Sequence, residues 1–439
     1  MRYLDTFLYN KLAVPLLAGG VCAAAPFNPK IRRGLQGRRH VWGDLSRYLS
    51  ADSDERKPRF WVHAASTGEF LQSLPILEAI KTKWPKAMIA CTYFSPSADR
   101  VVRSSQLVDC PSFLPIDSRK NMKRFFSLLD PDILLFSRYD VWPNMVWVAR
   151  ERSCPSVLVN ATLNPDSFRM SRVGRGFYGR LYGDLELICA ASDDDRESFR
   201  AVGVPAWKIE TTGDTKYDET YSRVTGLSKE ENPLAPHLAG KQAIIGGSTW
   251  PPDEGFLLPA YARIHRVLED TMLVLVPHEP APRRVNLLVE HASALGLRPQ
   301  TWTSLKERDW RVDGDVLIID EVGILAGLYG LARIAVVGGG FSRGVHNILE
   351  PASLGLPVVI GPNYGKSPEA LALVREGGAI VVSNEGEMEK AILDLSQNPE
   401  SRRSAGTIAL EHVRKNLGAT GRTLAVLRAT FPALFPPLR

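Results

Sequence analysis

Short apolar runs, separated by helix-length segments and interrupted once, constrain this chain more than any other feature. In the first half the runs are Phe60 to Ala65, Ala87 to Thr92, Ile133 to Phe136, Ser156 to Asn160 and Leu185 to Ala190. They resume at Ala243 to Gly247, Met272 to Pro277, Val316 to Ile319, Ile334 to Val337, Pro357 to Ile360 and Ala379 to Val382. Runs of this kind fit strands buried on both faces, as in parallel sheets covered by helices, and ligands of such sheets sit at the C-terminal strand ends. The expected fold is α/β, with two Rossmann-like domains facing a cleft. A length of 439 residues agrees, being too long for one ordinary core and suited to two domains of about 200 residues.

The pattern predicts an N-terminal segment over residues 1–40, a first domain over 41–218, a linker over 219–240 and a second domain over 241–439. The linker is marked by Asn232, Pro233 and Pro236 among charges, without periodicity. The final helices, Glu387 to Leu395, Ser401 to Leu417 and Gly421 to Thr430, are amphipathic packing elements, some expected to cross back to the first half.

Leu12 to Phe27 is an uncharged run of 16 residues, somewhat short of the roughly 20 a spanning helix needs. Lys30, Arg32, Arg33, Arg38 and Arg39 follow it, so the basic block lies after the apolar run, opposite to a cleaved signal peptide. An anchor with a cytoplasmic downstream flank fits this order, and a packed helix with a basic loop is the plainer alternative. A formal charge of +6 favours anionic partners without choosing among nucleic acid, phospholipid and phosphorylated glycolipid. The five cysteines, Cys22, Cys91, Cys110, Cys154 and Cys189, are scattered and odd in number, which predicts a reduced body without structural zinc; the eight histidines form no H-x-x-x-H pair, and no metal ligand set is expected.

Unusual residues gather at strand ends. The stretch from Ile334 to Ala370 reads as strand, triple glycine (Gly338, Gly339, Gly340), short loop, a helix opening at His346-Asn347, then strand. Side chains at the glycines would hold a ligand off the backbone, so close approach by an anion is expected. Glu350 lies one turn after Asn347, where a carboxylate can accept from ribose hydroxyls. Taken singly, a tight turn and a solvated helix face account for the same residues. Gly361 to Ser367 looks like a phosphate-binding loop of nucleotide hydrolases but has three residues between its glycines where that loop has four. Asp193 to Asp195 opens a helix and is expected to cap it.

GGGFSRGVHNILEPASLGLPVVIGP, Gly338 to Pro362, resembles the donor-sugar-nucleotide segment of the 3-deoxy-D-manno-octulosonic acid (Kdo) transferases. The likeness continues along both halves in the family's order. HAASTGE (63–69) resembles HAxSxGE, which implies that Glu69 is the general base. SRYDVWPN (137–144) resembles an acidic cluster followed by LWPN, with Arg138 at the first acidic position and Asp140 at the second. NATL (160–163) resembles NARLS, with Thr162 replacing the arginine. TGDTKYD (212–218) resembles TGxxKFD, which implies that Lys216 offsets negative charge at the reacting centre.

In the second half, Gly247, Ser248 and Thr249 followed by Glu254 resemble GSTxxxEE, and Pro277 and His278 with Arg283 resemble PRHPER, histidine standing where an arginine usually does. Val322, Gly323 and Ile324 resemble the segment bordering the cytidine. With Gly339, Gly340, His346, Asn347, Ile348, Leu349 and Glu350 they make the implied CMP site. The resemblance implies a GT-B type glycosyltransferase that carries Kdo from CMP-Kdo to a lipid A precursor in lipopolysaccharide inner-core synthesis. It implies no cofactor or metal, no nucleic-acid partner, and a place on the cytoplasmic side of the inner membrane, held by the N-terminal membrane-associating segment. A same-fold glycosyltransferase using another sugar nucleotide, and a non-catalytic sugar-nucleotide or nucleic-acid binder, remain open on sequence.

Overall fold

The computed structural model describes residues 2–50 and 57–435. Two parallel seven-stranded sheets carry the fold. The first contains β1 (Arg59–His63), β2 (Met88–Tyr93), β3 (Cys110–Phe113), β4 (Ile133–Ser137), β5 (Ser156–Ala161), β6 (Leu187–Ala190) and β7 (Ile209–Thr211), in the order β3-β2-β1-β4-β5-β6-β7. The second contains β8 (Gln242–Thr249), β9 (Thr271–Pro277), β10 (Pro299–Thr301), β11 (Val316–Ile318), β12 (Ile334–Val337), β13 (Val358–Ile360) and β14 (Ala379–Val381), in the order β10-β11-β9-β8-β12-β13-β14. The expectation of two Rossmann-like α/β domains holds. The chain reverses its direction of travel across each sheet between β1 and β4 and between β8 and β12, the switch points where such sheets bind ligands.

All eleven apolar runs are strands, and the three strands without such a run, β3, β7 and β10, are edges. These edge strands are short: β7 has one buried residue and β10 none, while β3 is buried throughout but contains Pro111, which suits an edge.

The molecule divides into unit 1, Met1–Glu219 with Leu417–Arg439, and unit 2, Thr220–Asn416. Two boundaries therefore differ from the sequence reading. The division falls within the helix Thr215–Thr225, where an irregular linker was expected, and the terminal helix Ala419–Thr430, placed inside the bounds 241–439, belongs to unit 1, as the expected crossing back of a final helix requires. The cause is local: the Asp218 carboxylate accepts from the amides of Gly418 and Thr420, both at 2.7 Å, and Leu424 and Leu427 are buried in the unit 1 core.

The N-terminal helical segment also exceeds the run read from sequence. Arg2–Leu8, a π-turn at Tyr9–Ala13 and Val14–Ala24 are continuous, and Leu4–Ala24 is long and apolar enough to cross a membrane. Asp5 is paired by Arg180 at 2.6 and 2.8 Å. Tyr9 donates to Asp117 at 2.8 Å, and Asn10 and Asn144 exchange amide hydrogen bonds at 3.0 Å. All five cysteines are free thiols.

Candidate functional site

In unit 1 the site residues gather at the β1/β4 switch point. Strand β1 ends at His63, and the helix Thr67–Lys83 opens two residues after Ala65, with Ser66 as N-cap. This puts Glu69 in the first turn, where its Oε2 accepts from the Ala65 amide at 2.6 Å. Glu69 is 4% exposed. Burial first, and next the Asp140 carboxylate, raise its proton affinity above the ordinary glutamate range, against opposing pulls from His63 and the Ala65 and Ser66 amides. A carboxylate so placed is a stronger base than a solvated one once ionised.

Asp140 follows β4. Burial alone would raise its proton affinity, but His63, Trp142 and Arg169 outweigh that and hold it below the usual aspartate range. His63 Nε2 is 3.5 Å and Trp142 Nε1 3.1 Å from the same oxygen, Oδ2. Two neighbouring carboxylates are thus pushed apart, one toward proton uptake and one toward charge, the signature of divided acid–base roles. Arg138, at a positive φ of 70°, donates to Gln72 Oε1 at 2.9 Å.

Lys216 is brought to the same strand ends. Its helix opens at Thr215, whose amide donates to Asn160 Oδ1 at 3.1 Å and whose hydroxyl donates to the Gln72 carbonyl. Asn160 Nδ2 donates to that same carbonyl at 3.3 Å, so one backbone oxygen joins the Glu69 helix, β5 and the Lys216 helix.

In unit 2 the second group lies at the β8/β12 switch point. Here the structure gives the triple glycine a packing reason besides the one read from sequence. A Cβ at Gly338 would lie 2.4 Å from Ser248 O, at Gly339 2.3 Å from Gly344 O, and at Gly340 2.5 Å from Gly361 N. The close neighbour is the protein's own backbone. The anion is also internal: Asp253 accepts from the amides of Gly339 at 2.8 Å, Phe341 at 3.2 Å and Trp250 at 2.8 Å. Gly247 is likewise packed, against the Tyr329 hydroxyl, and the Thr249 hydroxyl donates to Glu254 at 2.8 Å. Glu254 is paired with Arg284 at 2.5 Å, and burial raises its proton affinity.

The helix expected to open at His346-Asn347 begins at Leu349 and ends at Ser353, because the Asn347 side chain accepts the Leu349 amide at 3.2 Å and closes a turn first. Ile348 and Leu349 are buried in the core, so only their backbone remains for a ligand. Glu350 already accepts from Asn347 at 3.2 Å and Arg223 at 3.1 Å.

What faces outward is an aromatic group that sequence reading saw only in part. His278 and His346 stack with ring centres 4.3 Å apart at 14°, and Trp250 lies 4.9 Å from His278. Trp250 Nε1 donates to His346 Nε2 at 2.8 Å, which leaves the neutral ring with its hydrogen on Nδ1. Burial, then His278, lower the proton affinity of His346. Val322 is exposed, and a Cβ at Gly323 would meet nothing within 4 Å, so this loop is open. Pro277 ends β9 in the core, paired with Thr249, and Ser248 sits at the register shift just before it at a positive φ of 52°. Trp250, Asp253, His63 and Arg169 were given no role on sequence, although His63 opens the HAASTGE motif and Trp250 and Asp253 lie inside the Ser248–Glu254 turn.

Residues 40–219 match the family model described as 3-deoxy-D-manno-octulosonic-acid transferase (kdotransferase). The 3-deoxy-D-manno-octulosonic acid transferase of Rickettsia bellii is 26% identical over 378 residues, covering 85% of this chain and 88% of that protein. The enzyme of the same name from Aquifex aeolicus is 29% identical over 355 residues, 80% of this chain and 90% of its own length. Among solved structures, UDP-GlcNAc 2-epimerase from Neisseria meningitidis bound to UDP-GlcNAc is similar with a TM-score of 0.61 at 15% identity, over 84% of this chain and 100% of that one. At that identity the likeness concerns fold alone.

Proposed function

We infer that this chain is a glycosyltransferase of the Kdo transferase family and that it transfers Kdo from CMP-Kdo to a lipid A precursor in lipopolysaccharide synthesis. The observation that carries the reading is the buried Glu69 of the HAASTGE motif, set at a sheet switch point beside the ionised Asp140. Glu69 takes the proton of an acceptor hydroxyl, that oxygen attacks the anomeric carbon of Kdo, and the bond to the CMP phosphate breaks with its electron pair leaving on CMP. Lys216 supplies positive charge at the reacting centre. The aromatic group of Trp250, His278 and His346, with the open loop at Val322-Gly323, forms the face offered to the nucleotide. The transfer needs no metal, and the body works on the cytoplasmic face of the inner membrane, held there by the helix Leu4–Ala24.

The test is direct. Detergent-purified protein incubated with CMP-Kdo and a tetraacyl lipid A precursor should yield a glycolipid whose mass increases by one or more Kdo residues, at a rate unchanged by chelators. Glu69→Ala should lower turnover by orders of magnitude while CMP still binds, as expected for an interaction used only in the transition state. No product from an active preparation would favour a different donor.

A further inference from the structure

His63 is the residue of the unit 1 site whose surroundings are most fully determined. Trp61, Thr92 and His63 are all 0% exposed. Trp61 Nε1 lies 2.9 Å from Thr92 Oγ1, and that oxygen lies 3.0 Å from His63 Nδ1. An indole N–H only donates, so Thr92 accepts from Trp61; the hydroxyl proton of Thr92 has no acceptor other than His63 Nδ1 among the described residues, and it is donated there. A neutral imidazole then carries its hydrogen on Nε2. That buried nitrogen has no hydrogen-bond partner within normal range among the described residues, and the acceptor it approaches is Asp140 Oδ2 at 3.5 Å. Contacts of this length in an unliganded site are able to tighten when substrate is bound.

We propose that His63 is a positioning residue: its tautomer fixed by Trp61 and Thr92, it directs Nε2–H at Asp140, keeps that carboxylate charged beside Glu69, and thereby governs when Glu69 can accept a proton. The proposal rests on the assignment of Glu69 as base. The remaining titratable and charged groups around the cluster are Asp117 with its partner Tyr9, Tyr139, Tyr182, Arg169 and Arg138. None of them reaches His63 Nε2 within hydrogen-bonding distance. Arg169 acts on Asp140 with the opposite sign and Arg138 on Tyr139, and both are unchanged in every variant below.

The experiment is the pH profile of kcat/KM for Kdo transfer, whose acid limb reports ionisation of Glu69 in the free enzyme. Asp140→Asn removes a like charge next to Glu69, so the limb moves to lower pH. His63→Leu removes the donor that stabilises ionised Asp140, so that Asp140 takes up a proton. It also removes the direct pull of His63 on Glu69, which acts the other way, but Asp140 is the larger influence on Glu69 and sets the sign, so the limb moves to lower pH, by less than in Asp140→Asn. In the double variant, where position 140 carries no charge, His63→Leu no longer moves the limb to lower pH. His63→Gln, which restores an N–H donor, keeps the limb near its wild-type position. Thr92→Val leaves the imidazole in place but removes the hydroxyl that fixes its tautomer, and it shifts the limb as His63→Leu does; this variant carries the test if His63→Leu fails to fold. Equal and additive shifts from His63→Leu in both backgrounds, or an unmoved limb in His63→Leu and Thr92→Val, would overturn the role of His63. Absence of any glycolipid product from the wild-type protein would instead overturn the functional assignment, so the two failures are separable.

Discussion

At the scale of single residues, the most instructive side chain is Asp253. It is 2% exposed and satisfies three backbone amides from two different loops, those of Trp250, Gly339 and Phe341. Hydrogen bonds to a charged group contribute about 1.5–3 kcal/mol each, and their donors would be left buried without a partner. Asp253→Ala should therefore lower the urea unfolding free energy by roughly 3 kcal/mol or more, with weakened CMP binding in the folded fraction; an unchanged midpoint would contradict the bridging role. Asp117 gives a prediction in pH. Burial holds its proton affinity up, to about 6. The native state therefore binds a proton more tightly than the unfolded chain, so its contribution is fully present below the ordinary aspartate range and lost as pH rises to about 6. Asp117→Asn should flatten that decline in denaturation curves taken across the acid range. Glu69 was legible in sequence because its role is carried by a contiguous motif. Asp253 was not, because the amides it binds at Gly339 and Phe341 lie 86 and 88 residues away, and glycines that look open to a ligand in sequence are filled by backbone in space.

At the scale of elements, strand cores were readable and their margins were not. A strand covered on both faces writes itself as an unbroken apolar run, whereas β7 and β10, half-covered edges of three residues each, leave no such trace. Helix starts depend on side chains that close turns: Asn347 delays the helix predicted at His346, while Ser66 begins the Thr67–Lys83 helix two residues ahead of Glu69 and fixes that carboxylate in the first turn. The terminal helix shows the same dependence across a longer interval. Asp218 caps it through the amides of Gly418 and Thr420 and the Thr420 hydroxyl, and Arg422 Nε donates to Thr212 O at 2.8 Å. Loss of such a cap costs typically about 1 kcal/mol, up to about 2. Asp218→Ala should produce a loss of that size in chemical denaturation of the intact protein, and full stability in this variant would mean that apolar packing of Leu424 and Leu427 alone holds the helix.

At the scale of the whole molecule, the restart of the strand pattern announced two sheets, and a return of late helices to the first half was expected; which helix returns depends on contacts that no periodicity records. The N-terminal helix is the other feature whose meaning is set by the rest of the chain. One part is tied down through Asp5, Tyr9 and Asn10, while Leu12, Leu16 and Leu17 are exposed, Leu16 at 75% and Leu17 at 48%. Covering a leucine side chain contributes about 1.5–3 kcal/mol, and an anionic surface adds about 1 kcal/mol for each nearby basic residue, here those between Lys30 and Arg39. The apolar part does not depend on ionic strength, whereas the charged part is screened as the Debye length falls from about 10 Å at 0.1 M salt to about 3 Å at 1 M. Cosedimentation with phosphatidylglycerol-containing vesicles should therefore weaken in high salt without vanishing. The pair Leu16→Asp and Leu17→Asp should reduce it by roughly a hundredfold or more at any salt, since about 3 kcal/mol is lost. Because these side chains lie away from the Arg180, Asp117 and Asn144 contacts, the variant should keep its unfolding midpoint and its transfer activity on detergent-dispersed acceptor. Vesicle binding indifferent to both leucines would show that the basic residues alone hold the protein at the lipid surface.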